Sequence, residues 1–271
     1  MSTLELGTAD AAVLETFVVP RYLALFGEPV VDSLLPADGA RVVHLGCRTG
    51  FPDAAIARKL PLSQIFGVDP SPSAIELARA KSHLIQEARV EYAVSGYPTP
   101  SPAGSFSHAV CLHPLAPMPE DRQLLFAEVA RLLASSGQGV LAMPLRGSFQ
   151  ELLDLLREHA LKHDAGEIGR AVEAAAALRP NIEVLTEELE SVGLEDVDIG
   201  VHRATIEFQS GRDFFEDPIA RLLVLPDLRA HMSGVELEKP LRYVREAIDR
   251  YWSEQPFELT VTVGCASVRR Y

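Results

Sequence analysis

The sequence is short of positive charge: 25 lysines and arginines stand against 38 aspartates and glutamates, a formal net charge of -13 over 271 residues. A molecule of that sign repels phosphate backbones and anionic lipid surfaces, which argues against nucleic acid as its main partner. No uninterrupted apolar run reaches membrane-spanning length, so no membrane partner is expected. Cysteine is scarce too. Cys47, Cys111 and Cys265 are an odd number without metal-site spacing, each in or beside an apolar strand-like run. They read as buried thiols in a reducing compartment, and no metal is expected. The N-terminal stretch MSTLELGTADAAVLETF has acids where a signal peptide carries positive charge, so the expected location is cytoplasmic. No repeat or low-complexity linker divides the chain, which predicts a single domain over 1–271.

What is present is alternation. Apolar residues from Ala9 to Leu35 recur at helical spacing with breaks at Pro20 and near Pro29, so helices over 1–36 precede the first strand. RVVHL is a β-branched run bounded by Gly46, and FPDAAIARKL then resumes helical periodicity. The unit repeats at SQIFGVD, closing on Asp69, followed by PSPSAIELARAKSHLIQEA, where Ser71 or Ser73 can cap a helix and Pro72 suits its first turn. ARVEYAV, FSHAVCLH and QGVLAMP predict three more strands, with the loop SGYPTPSPAGS after the third strand and a helix expected to run to Gly137 before the fifth. Strands alternating with helices need crossover connections, hence a parallel sheet covered on both faces. Two later alternating runs, LEDVDIGVHRATIEF and FELTVTVGCASVRRY, add antiparallel strands, and helical insertions are expected over 148–190 and 210–256.

The order of these parts resembles the class I S-adenosylmethionine-dependent methyltransferases, in particular their small-molecule, UbiE-like branch. VVHLGCRTG stands where that family has a strand ending in an acid followed by G-x-G-x-G. IFGVDPSPSAIELAR resembles its second strand, ribose-binding acid and next helix, and GSFSHAVCLHPL resembles its fourth strand. The resemblance implies an α/β, Rossmann-like doubly wound sheet of seven strands, mixed, in the order 3-2-1-4-5-7-6. It also implies S-adenosylmethionine as cofactor and a small-molecule acceptor. Carried over residue by residue, the cofactor positions fall on His44, Gly46, Arg48, Gly50, Asp69 and Ser95.

At three of these the chain departs from the pattern. His44 replaces the acid near the cofactor's ammonium, Arg48 replaces the middle glycine, and Ser95 replaces an acid aimed at adenine. Arg48 is expected to fill methionine space and to set a cation beside the sulfonium. On this reading the turn keeps its geometry but binds the cofactor weakly or not at all, and returning an acid and a glycine to positions 44 and 48 raises affinity. His44 could equally be a core-edge histidine and Asp69 a helix cap. His113 is the candidate general base, and Tyr97 a second pocket residue. Two functions follow: a methyltransferase acting on a small organic molecule, or an inactive relative that keeps the sheet as a scaffold and binds a protein partner, or a second copy, through its helical insertions. In a third reading Arg48 recognises a carboxylate or phosphate on a different ligand.

Overall fold

The computed structural model describes residues 6–114 and 118–271; the first five residues of the expected N-terminal segment and residues 115–117 lie outside them. Five strands, β1 (Arg41–Leu45), β2 (Gln64–Asp69), β3 (Arg89–Val94), β4 (Phe106–Leu112) and β5 (Leu133–Pro144), are followed late in the chain by β6 (Glu195–Phe208) and β7 (Phe257–Arg269). They form one seven-stranded sheet in the order β3-β2-β1-β4-β5-β7-β6. The pairs β1–β2, β1–β4, β2–β3 and β4–β5 are parallel, with Val43 opposite Phe66 on one side and Ala109 on the other. The chain leaves β1 toward β2 in one direction and returns to β4 on the other side, so the strand order reverses between β1 and β4. In an open parallel sheet that crevice, at the carboxyl ends of the strands, is where ligands bind.

The helices obey the local signals with two corrections. Before β1 the chain forms α1 (Thr8–Val13), a π-helical stretch (Leu14–Leu23) and α2 (Ala24–Ser33). Pro20 lies inside the π-helical stretch and Pro29 inside α2, so neither ends a helix as the periodicity suggested. A wider hydrogen-bonding register absorbs the N–H that proline lacks. After β1 and β2 come α3 (Asp53–Lys59) and α4 (Pro72–Ser82); Ser71 caps the latter, its side chain accepting from the Ala74 amide. The helix before β5, α5 (Pro119–Leu132), stops short of the Gly137 expected for it. Leu133 is already extended, and Ser136, at φ 64°, donates its amide to Arg270 O, so this stretch belongs to the sheet.

The remaining helices are α6 (Gln150–Lys162), α7 (Gly166–Leu178), α8 (Ile182–Glu190), α9 (Gly211–Glu216), α10 (Leu225–His231) and α11 (Glu238–Tyr251), with a π-helical piece at Ala220–Val224. The chain resolves into two compact units, one of residues 1–143, 182–201 and 264–271, the other of 144–181 and 202–263. The first buries Tyr22, Phe26, Val43, Leu45, Val110 and Phe126 completely. In the second, Phe214 meets Phe208 and Phe257 edge to face, and α11 buries Leu241, Val244, Ala247 and Ile248 at helical spacing. Among the described residues no helix is long and apolar enough to cross a membrane.

Candidate functional site

The turn that closes β1 is folded as a cradle. Gly46 and Gly50 hold φ of 67° and 85°, a region that costs a residue with Cβ. At Gly50 space is short as well: a Cβ would lie 2.6 Å from the Tyr92 hydroxyl. The amides of Gly46 and Cys47 both donate to Val68 O, at 2.8 and 3.0 Å, which ties the turn to the end of β2. Asp69 closes that strand and is buried. Its Oδ2 accepts from the Arg48 amide at 3.0 Å and its Oδ1 from the Ser71 amide at 2.9 Å. The helix cap is therefore Ser71. Asp69 orders the turn and still has lone pairs for hydroxyl donors, since a carboxylate accepts about four hydrogen bonds.

His44 is fully buried, and its setting is one that no local pattern announces. Its Nδ1–H donates to Asp53 Oδ1 at 2.7 Å, and the Tyr92 hydroxyl donates to Asp53 Oδ2, also at 2.7 Å. Asp53 is itself completely buried, in the first turn of α3, where the helix dipole favours a negative charge. Burial, and next Asp53, push the Tyr92 hydroxyl far above its ordinary pKa, so it stays a donor. The other ring nitrogen, His44 Nε2, is buried with no hydrogen-bond partner among the described residues.

Arg48, at φ 47°, reaches from the β1 turn to the end of β4. Its Nη1 donates to Leu112 O at 3.0 Å and its Nη2 to His113 O at 2.6 Å. The guanidinium thus lies across the crevice where the strand order reverses. Tyr97 covers the turn: a Cβ on Gly46 would sit 3.5 Å from its hydroxyl, whose pKa is raised well above the usual value by burial. The expected base, His113, is 2% exposed. Its Nε2 shares a 2.7 Å hydrogen bond with the Tyr22 hydroxyl, and its ring meets Phe26 edge to face. Ser95 donates its amide to Asp69 O and its hydroxyl to Gly96 O. The structure therefore gathers His44, Gly46, Arg48, Gly50, Asp69, Tyr97 and His113 around the strand ends. It adds Asp53, Tyr92 and Tyr22, which the sequence reading missed. The signal for Asp53 was a histidine in an apolar strand, which needs a polar partner nearby. Among the described residues no group of three or more His, Cys, Asp or Glu is placed to hold a metal ion.

A parallel doubly wound sheet with a glycine turn at its reversal point and an acid closing the adjacent strand defines a Rossmann-like, nucleoside-binding class of protein. Residues 42–137 match the family model described as "Methyltransferase domain". A putative methyltransferase from Bacillus halodurans C-125 superposes with a TM-score of 0.57 at 16% identity, over 92% of this chain and 98% of that one. A chain from the complex between the Haloferax volcanii Trm112 methyltransferase activator and the putative methyltransferase gives 0.54 at 16% identity, over 97% of each. Phosphoethanolamine N-methyltransferase 2 of Haemonchus contortus, solved with phosphomonomethylethanolamine and S-adenosylhomocysteine, gives 0.56 at 14% identity, over 98% of this chain and 59% of that one. No curated protein sequence matches significantly. Together with the strand order, these likenesses give the sheet the Rossmann-like methyltransferase fold. Identities this low speak for the fold and leave the reaction to the site.

The site can be tried against that family's cofactor. The glycine turn and the ordered carboxylate of Asp69 suit a nucleoside: backbone can approach closely, and ribose hydroxyls have an acceptor. At the other end, Arg48 is a cation held by two neutral carbonyls, and its sign opposes a sulfonium while suiting a carboxylate.

Proposed function

We propose that the protein is a cytoplasmic S-adenosylmethionine-dependent methyltransferase of the small-molecule, UbiE-like branch, acting as one domain on a small organic acceptor. The observation that carries this reading is the Gly46–Gly50 turn locked to Asp69 at the β1/β4 crevice. Gly46, Gly50, Asp69 and Ser95 would hold the nucleoside, and His44 and Arg48 would face the amino-acid end. The cofactor supplies a methyl group that is already activated, so the chain has chiefly to bind, orient and exclude water. His113 is the candidate base for a hydroxyl acceptor; its bond to Tyr22 also fixes the wall on which Arg48 rests.

Calorimetric titration with S-adenosylmethionine and S-adenosylhomocysteine tests this directly. The expected result is saturable binding with a Kd below about 100 μM, which corresponds to roughly -5.5 kcal/mol. One observation favours the scaffold reading, namely the guanidinium lying across the crevice. Under that reading neither compound binds at about 1 mM, and the helices of 148–190 and 210–256 hold a protein partner or a second copy. Light scattering would then show a dimer or a captured partner.

A further inference from the structure

Two polar groups, one in β1 and one on the turn that follows it, are left incomplete by the protein, in opposite senses. Arg48 is 8% exposed, and its guanidinium makes no ion pair among the described residues. Its two bonded nitrogens face backbone carbonyls, and the carboxylate at the end of β2, Asp69, is engaged by the amides of Arg48 and Ser71. A buried cation served only by neutral acceptors is costly, and an anion brought against it would be bound strongly. Four residues earlier in the chain, His44 Nε2 is buried and without a partner. With Nδ1–H committed to Asp53, the Nε2-deprotonated tautomer carries its lone pair at Nε2, which calls for a donor.

An α-amino-acid end carries both complements, a carboxylate for the cation and an ammonium for the lone pair. Building on the cofactor reading above, we infer that Arg48 binds the carboxylate of the cofactor's amino-acid end while His44 Nε2 accepts from its ammonium, with Asp53 and Tyr92 as positioning residues. The guanidinium has five N–H donors in a planar fork. It can keep the Leu112 and His113 carbonyls and still offer a free edge. The carboxylate would meet the guanidinium in contact, whereas the sulfonium lies several bonds farther along the ligand. The attraction therefore outweighs the repulsion that the position of Arg48 suggests at first sight. Left-handed backbone at two non-glycine residues, Arg48 at φ 47° and His113 at φ 42°, agrees with this placement, since such strain collects at ligand clamps.

The test compares S-adenosylhomocysteine with 5′-methylthioadenosine, which has the same thionucleoside without the amino acid, by calorimetry on the intact chain. The inference expects S-adenosylhomocysteine to bind at least tenfold tighter, and tighter than S-adenosylmethionine, whose sulfonium the guanidinium opposes. Arg48→Met should remove the preference while leaving methylthioadenosine affinity unchanged, which also shows that the variant is folded. The ¹⁵Nε2 resonance of His44 should move with S-adenosylhomocysteine and stay still with methylthioadenosine. Equal or tighter binding of methylthioadenosine by the unaltered protein overturns the inference and leaves the cofactor reading standing, and so does tighter S-adenosylhomocysteine binding in Arg48→Met. Failure of both nucleosides to bind overturns the two together.

Discussion

At the scale of the residue, the strand-end region is a place where protons are held tightly. Burial, and next Asp53, push the Cys47 thiol well above its usual pKa; burial, opposed by Arg48 and aided by Asp69, pushes Cys111 up to about 12; and burial, and next Asp53, raise the Tyr92 hydroxyl. Each of these groups keeps its proton in the folded state at a pH where the unfolded chain has lost it. The folded state binds more protons, so stability is complete below about pH 8.5, the unperturbed thiol value, and falls as pH rises above it. Each such proton steepens the fall by about 1.4 kcal/mol per pH unit. Urea unfolding at pH 8, 9 and 10 should show a progressively smaller unfolding free energy; a flat profile across that range would contradict the burial of these groups. The sequence supported part of this picture, since cysteines in apolar strands read as inert. It did not show that Cys47 and Tyr92 share a neighbour in Asp53, because that meeting is made by the sheet.

At the scale of the element, local signals sufficed where the chain punctuates itself. Gly46 follows β1 and Pro70 follows β2, and both strands stop at those residues. The end of α5 was not legible, because Leu133 to Ser136 has no breaker and its extension depends on pairing with distant residues. Side-chain partnerships across long separations were equally hidden. Glu128 reads as a solvated position on an amphipathic helix, yet it is 4% exposed. Its Oε1 accepts from the amide and the hydroxyl of Thr99, both at 2.8 Å, and Arg131 grips both carboxylate oxygens at 2.7 Å. Arg131 also donates to Ser101 O at 2.8 Å. One carboxylate thus pins the proline-rich loop after β3 onto α5. Burial alone would raise the pKa of Glu128, but hydrogen bonds from Arg131 and Thr99 outweigh it and leave the value lowered. Glu128→Gln should cost about 2–3 kcal/mol, the range for a charge-assisted bond lost in a buried site. It should also speed hydrogen exchange at the Thr99 amide. Unchanged protection there would mean that the loop is held by something else.

At the scale of the whole molecule, the net charge of -13 places an excess of like charge on the chain. Self-repulsion of that kind is screened within about 10 Å at 0.1 M salt. The melting temperature should therefore rise by a few degrees between 10 and 150 mM NaCl, read by calorimetry at pH 7.5; a fall on adding salt would mean that attractive ion pairs outweigh the net charge. The bond between His44 and Asp53 bears on another whole-molecule property, how freely the chain tolerates substitution. An aspartate at position 44 would stand beside Asp53 with no water to separate two like charges. His44→Asp alone is therefore a step downhill in stability, and so is losing Asp53 while His44 remains. Exchanging the pair one residue at a time therefore passes through a less stable chain. Tyr92 makes the passage narrower, because its hydroxyl is spent on the same carboxylate. With three side chains settled into one another in this way, any redesign of the turn has to be built around the histidine.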